Sequence, residues 1–310
     1  MTLRKLFAPL NPADLVTISF HAFLMLLNLV FSSRVSDWYW LVPANALGIC
    51  FIFYLAHSAK KRKTKLLMHL HRWYIYAAVL LTFKELYLMV RPIHPIDYDT
   101  LLISVDQWLF GVNPTEWLAQ FSNPALTEIL QLGYSSYYLL FIIVGIDVYR
   151  KHSWHGYDRA AFMIVYGFYL SYLGYFLLPA VGPRFTLHTF ELLNLELPGL
   201  FFTEPLRAFI NAGESIPTDI ANPVDFVQRD VFPSGHTQLS LVVVYCAFHF
   251  KVASRWLLAS LATLLVLGTV YLRYHYVIDV IAGVVFFLFT VWSGWKIVAW
   301  WDHKRNATPP

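Results

Sequence analysis

Apolar residues run through this chain in long blocks separated by short polar ones, without the strict alternation of half-buried strands. Eight blocks stand out, near 13–33, 38–57, 72–90, 127–149, 157–179, 235–251, 255–273 and 276–300. Most reach the ~20 residues a helix needs to cross a bilayer, and the sixth and seventh are the shortest. The pattern predicts an all-α fold, a polytopic membrane helix bundle of about eight spans. Residues 1–310 read as a single membrane domain, with peripheral spans and an interfacial helix in 1–126 and the remaining spans in 127–300. No soluble domain, internal repeat or low-complexity linker is visible. The first apolar run is span-length and lacks a small-residue cleavage site, so no cleavable signal is expected.

Between the third and fourth blocks the pattern changes. Residues 99–120 set Leu101, Leu102, Val105, Trp108, Leu109 and Trp117 among Asp106, Gln107 and Glu116. That predicts a helix lying in the membrane interface. It suits a cap over the bundle and a substrate gate equally.

Composition agrees with the membrane reading: 58% of residues are hydrophobic and only 14% charged, against roughly 25% charged in soluble domains. Charge placement then predicts orientation. Basic residues gather at alternate ends of the blocks: Arg4 and Lys5; Lys60, Lys61, Arg62, Lys63, Lys65 and Arg72; Arg150, Lys151 and Arg159; Lys251 and Arg255; Lys304 and Arg305. The intervening loops, 91–126 and 180–234, hold no lysine and carry carboxylates such as Asp97, Asp99, Asp106, Glu196, Glu214, Asp219 and Asp230. By the positive-inside rule both termini are cytoplasmic. The net charge of +4 is thus a topology signal and implies no nucleic-acid partner. Cys50 and Cys246 both fall inside spans and read as buried structural thiols.

The candidate chemistry lies on the side opposite the basic loops. Arg91 ends the third span, Arg184 follows the fifth, His236 opens the sixth, and Arg273, His275 and Asp279 flank the turn into the eighth. Ionisable groups at membrane depth are functional candidates, because their desolvation costs a few kcal/mol unless something compensates. Phe232-Pro233-Ser234-Gly235-His236 opens an apolar helix whose free N–H groups and dipole favour an anion. His275 follows His236 by 39 positions, with Asp279 four further on. On a helix that spacing shares one face, so the carboxylate can hold one ring nitrogen and leave the other as a nucleophile. His236 is then placed to act as the acid for a departing alkoxide. A zinc site from His236, His275 and Asp279 is the structural rival, but no His-Glu-x-x-His or cysteine pair supports it, and no metal or cofactor is expected.

These residues resemble the type 2 phosphatidic acid phosphatase superfamily, whose pattern is Lys-x6-Arg-Pro, then Pro-Ser-Gly-His, then Ser-Arg-x5-His-x3-Asp. The second block matches from Pro233 to His236 and the third at His275 and Asp279, with Tyr271-Leu272 and His275-Tyr276 alongside. The resemblance covers roughly 157–300 and implies a phosphatase-type four-helix core there. Two departures stand out. Thr269 occupies the place of the third block's arginine, while Arg273 stands two residues before the histidine. For the first block, Lys84 to Arg91-Pro92 fits by spacing, but helix order favours the segment Pro179 to Arg184. Lys84 could equally pair with Glu85 or a neighbouring helix. Asp99 to Pro114, with Asp106 and Phe110-Gly111, and Tyr134-Ser135-Ser136-Tyr137 look like the branch containing inositol phosphorylceramide synthases and, more distantly, sphingomyelin synthases.

The resemblance implies attack of His275 on phosphorus, with Asp279 stabilising its imidazolium and His236 protonating the leaving group. Arg184, Arg273, Ser234 and the Gly235 amide would hold the phosphate oxygens, with Arg91 and Lys84 as second-tier candidates. The substrate would be a phospholipid or polyprenyl phosphate, and the product follows from transfer to water or to an alcohol such as inositol. A polyprenyl pyrophosphate phosphatase would use the same residues. A transporter lined by the same polar groups is the reading from another class. It should show related halves and broken helices near the midplane, whereas here the polar residues cluster at one surface.

Overall fold

The computed structural model describes residues 6–217 and 222–306, the last two without their side chains. Arg4, Lys5, Asp219 and the side chain of Arg305, invoked above for charge placement, lie outside the described residues. The described chain is helical throughout, with no strand. Its helices are α1 (Pro12–Val30), α2 (Trp38–Arg62), α3 (Lys65–Ile93), α4 (Asp99–Phe110), α5 (Pro114–Ala119), α6 (Pro124–Ser135), α7 (Tyr137–Leu177), α8 (Pro183–Thr186), α9 (Leu193–Glu196), α10 (Thr203–Gly213), α11 (Gly235–His249), α12 (Arg255–Tyr271) and α13 (Val277–Asn306).

Helix starts follow local chemistry. Asn11 and Asp14 form a reciprocal capping box at α1, with Pro12 at the first position. Asn123 caps α6 by accepting from the amides of Ala125 and Leu126. Each satisfies donors that would otherwise be orphaned in an apolar medium.

Five helices, α1, α2, α3, α7 and α13, are long and apolar enough to cross a membrane. At 41 residues, α7 would run about 60 Å if straight, twice a hydrocarbon core of ~30 Å. It is not straight. Ser153 has non-helical angles (φ 56°, ψ −159°), and the two arms fold back on each other. Phe141 packs on Phe168 at 5.2 Å between ring centroids, and a Cβ on Gly145 would lie 3.5 Å from the Tyr157 ring. The fourth and fifth expected spans are therefore the arms of one hairpin, with α6 leading into the first. The sixth and seventh are α11 and α12, only 15 and 17 residues long.

The second arm of α7 is the central rod. Residues 160–165 are all buried, in a core shared with α11, α12 and α13. Gln238 of α11 ties these rods together: it accepts from Ser171 Oγ (2.8 Å) and donates to the Gly167 carbonyl (2.9 Å) and Thr290 Oγ1 (3.1 Å). Near the Pro-Ser-Gly-His segment the approach is closer still. A Cβ on Gly174 would sit 2.2 Å from Pro233, and one on Gly283 would sit 2.7 Å from the Ser234 carbonyl. Nothing larger than glycine fits either position without displacing the backbone.

Ion pairs close the opposite end. Arg72 binds both oxygens of Asp158 (2.8 and 3.2 Å), and Arg159 meets Asp302 (2.8 Å). One expectation needs correction here: Cys246 is buried, but Cys50 is exposed. It lies on the outward face of α2 with Leu47, Phe51 and Tyr54, because burial depends on the helix face as well as on being in a span.

Candidate active site

The start of α11 and the turn before α13 meet at one end of the central bundle. Ser234 caps α11, its hydroxyl accepting from the Thr237 amide (3.2 Å), while its own N–H donates to the Asp279 carbonyl (3.0 Å). These bonds bring the two motifs together. Nε2 of His275 lies 3.4 Å from Nδ1 of His236. Ser234 is fully buried and Gly235 is the first residue of the helix, so the α11 N-terminus opens beside the imidazoles.

The expected His275–Asp279 hydrogen bond takes a different form. Nδ1 of His275 stands 3.6 Å from Asp279 Oδ2, an ion-pair distance too long for a hydrogen bond. Helix α13 begins at Val277, so His275 precedes it and the i, i+4 helical face does not apply. Asp279 Oδ2 instead accepts from the Tyr276 amide (2.8 Å), as a first-turn acidic residue often does.

Both candidate arginines are buried here, and their backbones are joined by an Arg184 N–H bond to the Arg273 carbonyl (3.1 Å). Arg273 holds a left-handed conformation (φ 68°). Each guanidinium is met by a carboxylate from the segment covering this end. Arg184 pairs with Glu214 and donates to Asn211 Oδ1 (3.2 Å), and Arg273 pairs with Glu196. The Arg184 guanidinium also lies over the Tyr274 ring (4.7 Å). Tyr274 stacks on Tyr134 (4.2 Å), and Tyr134 stacks on His236 (4.6 Å). Tyr137 closes on His236 from another side (4.4 Å). One aromatic column thus runs from arginine to imidazole.

The second-tier residues sit apart from the imidazoles. Arg91 is half-exposed and pairs with Asp225 (3.1 Å). Lys84 does not pair with Glu85 but meets a neighbouring helix: its ammonium donates to the Gly213 carbonyl at the end of α10 and to Ser215 Oγ (2.9 Å) just beyond it.

Sequence reasoning missed the carboxylates that hold the site's shape. Asp99 Oδ1 and Oδ2 accept from the amides of Gly182 (2.8 Å) and Val181 (3.0 Å), and Oδ1 also accepts from the Tyr276 hydroxyl (2.8 Å). One turn pair further along α4, Asp106 accepts from the amides of Val277 and Ile278, both at 2.8 Å. Both carboxylates are buried, whereas Trp108 on the other face is 81% exposed. Helix α4 is therefore a brace across the loops bearing Arg184 and His275, with Asp99, Leu102 and Asp106 turned inward and Leu101, Trp108 and Leu109 outward. Glu128 does similar work for the covering segment, accepting from the amides of Leu200 (2.9 Å) and Phe202 (2.6 Å).

Electrostatics favour a neutral imidazole. Burial pushes His275 down to about 4, against the pull of the Asp230 carboxylate and with help from Arg184. Asp230 itself is raised by burial and lowered by His275 and Arg184. Among the described residues, no group of three or more His, Cys, Asp or Glu side chains is arranged to hold a metal ion.

Comparison with known proteins agrees with this geometry. A PA-phosphatase related-family protein of Dictyostelium discoideum is 27% identical over 201 residues, covering 59% of this chain and 34% of that protein. The chain thus spans about a third of that relative's length. No solved structure matches it. The family model of the PAP2 superfamily matches residues 100–293, from the brace helix α4 into α13 and across both histidines. This chain is a member of the PAP2 superfamily.

Proposed function

We propose that the protein is an integral-membrane lipid phosphatase or phosphotransferase working through a phosphohistidine on His275. The observation that carries this reading is the 3.4 Å approach of the two imidazoles at the end of the bundle where Arg184 and Arg273 are buried. Nε2 of His275 faces His236, and Nδ1 faces Asp279. The Nε2 lone pair attacks phosphorus as the bond to the leaving oxygen breaks, and His236 delivers its proton to that oxygen. Asp279 stabilises the imidazolium. Water or an alcohol then attacks the phosphohistidine, giving its proton to His236. Arg184, Arg273, Ser234 and the first amides of α11 stabilise the charge on the non-bridging oxygens.

Glu214 and Glu196 give the mechanism its first step. Each occupies a guanidinium that the phosphate needs, so the phosphate must exchange with them as it enters. The rings must also part, since 3.4 Å leaves no room for phosphorus between the nitrogens. By the basic-end rule the site faces the extracytoplasmic or lumenal side. The substrate is a phospholipid or polyprenyl phosphate, and the acceptor is water or an alcohol such as inositol. The test is to incubate purified protein with phosphatidic acid and a polyprenyl pyrophosphate, with and without inositol, and to measure released phosphate and new lipid products. Phosphate release or a new phospholipid supports the reading. Neither product from any substrate contradicts it.

A further inference from the structure

The first three helices hold a second polar constellation, separate from the histidine pair. Oε1 of Glu85 accepts from Asn28 Nδ2 (3.1 Å) and Asn45 Nδ2 (2.6 Å). The Asn45 nitrogen also donates to the Leu41 carbonyl (2.9 Å). With its nitrogen committed, Asn45 must present its oxygen to His21 Nδ1, 2.5 Å away. The His21 proton therefore sits on Nδ1, and Nε2 is a lone-pair acceptor.

This network borders a cavity of about 410 Å³ between α1, α2 and α3, with His21, Asn45, Thr82 and Glu85 on its wall. Along α2 the lining reaches from Trp40 to Ile52, about 18 Å at ~1.5 Å per residue. That is close to the depth of one leaflet, half of a ~30 Å hydrocarbon core. Two lining residues, Phe51 and Leu81, are 53% and 71% exposed, so the cavity opens on an apolar outer face.

What the cavity offers a ligand is one-sided. Oε2 of Glu85 and Nε2 of His21 have no hydrogen-bond partner among the described residues, and with Glu85 ionised both are acceptors. Lys84 is on the lining too, but its ammonium is taken by the Gly213 carbonyl and Ser215 Oγ. An apolar trough ending in acceptors, one of them a carboxylate, complements a chain ending in donors. An ammonium brings three donors and no acceptor, and its charge offsets the cost of Glu85 at membrane depth. A hydroxyl brings one donor and no charge, and a carboxylate would meet Glu85 as a like charge.

We propose that this cavity binds a long-chain amine, its ammonium donating to Glu85 and His21 and its alkyl chain lying along α2. The site is independent of the phosphohistidine reading. The test is equilibrium binding of radiolabelled hexadecylamine, hexadecanol and hexadecanoate to the full chain in zwitterionic nanodiscs, with empty nanodiscs as background. Saturable binding of one hexadecylamine per chain is expected, at least tenfold tighter than the alcohol or the acid. Glu85→Gln should weaken it tenfold or more. Gly48→Leu should do the same by filling the trough, since a Cβ there meets the His21 ring only at an ordinary 3.7 Å. Equal affinity for the three probes, tighter alcohol binding, or no saturable binding overturns the proposal. So does undiminished affinity in Glu85→Gln. Size-exclusion elution reports folding; if Glu85→Gln does not fold, Gly48→Leu decides, and unchanged affinity there overturns the proposal.

Discussion

The Nε2 of His275 and the Nδ1 of His236 stand 3.4 Å apart, with His236 stacked on Tyr134 and His275 only 4% exposed. Two imidazolium ions so close and so buried would repel strongly, so the pair carries one positive charge at most. One ring is then a base or nucleophile while the other is an acid. That division of labour is what phosphoryl transfer through histidine needs.

Leaving-group chemistry separates the two roles. His275→Ala should abolish turnover on every phosphate ester while the protein still elutes as wild type. His236→Ala should abolish turnover on a lipid phosphate but retain part of it on nitrophenyl phosphate, whose leaving group needs little protonation. Equal losses on both esters in His236→Ala would remove its role as acid.

The two buried arginines should matter far more than the half-exposed one. Losing a preorganised phosphate ligand costs about 3–4 kcal/mol of transition-state stabilisation, near 10²–10³ in rate. Arg184→Ala should reach that loss and Arg273→Ala approach it. Arg91→Ala, half-exposed against Asp225, should lose tenfold or less. Arg184→Lys should recover only part, because an ammonium lacks the guanidinium fork. Glu214→Gln, which weakens the carboxylate competing for Arg184, should lower KM for the lipid phosphate.

The brace helix should act on turnover more than on binding. Asp106→Ala strands two backbone amides at the start of α13, each costing about 1–3 kcal/mol if left unpaired. The turn bearing His275 then loses its support. A fall in kcat of about tenfold or more is expected with KM nearly unchanged, and Asp106→Asn should fall in between. A pure rise in KM would mean that α4 serves substrate entry instead.

The pH profile should follow the buried imidazole. His275 is held at about 4, chiefly by burial, so it stays neutral and nucleophilic well below the usual histidine range near 6.5. The acid limb of kcat/KM should therefore fall near pH 4, with activity lost as pH drops through it. Asp230→Asn removes a carboxylate that raises the His275 value, so the limb should move lower still. EDTA should leave activity largely intact. Loss on chelation, with rescue by a divalent ion, would favour metal chemistry at these residues.

Much of this was legible in the chain. Hydropathy marked the rods, and the basic cluster at Arg150 and Lys151 marked the α7 turn at Ser153, because span ends and hairpins leave local signals. Pro233 to His236 and His275 to Asp279 were legible for the same reason. The rest depended on distant partners. Nothing in spacing links Arg273 to Glu196, 77 positions away, or Arg184 to Glu214. Asp279 does face His275, at an ion-pair distance of 3.6 Å, but across the turn before α13 and not along a helix face, because α13 starts two residues after His275 and the carboxylate also caps it. The periodicity of α4 identified an amphipathic helix but could not say which face meets protein. Asp99 and Asp106 turn inward because loop amides await them there.

The most direct test of the mechanism is rapid acid-free quenching of the enzyme with ³²P-labelled substrate, followed by mapping of the labelled peptide. The account predicts an acid-labile, base-stable label on His275, absent from His275→Ala. It also predicts accumulation of that label in His236→Ala with an activated ester, because the second step then lacks its base. Label on another residue, or full turnover in His275→Ala, would contradict it.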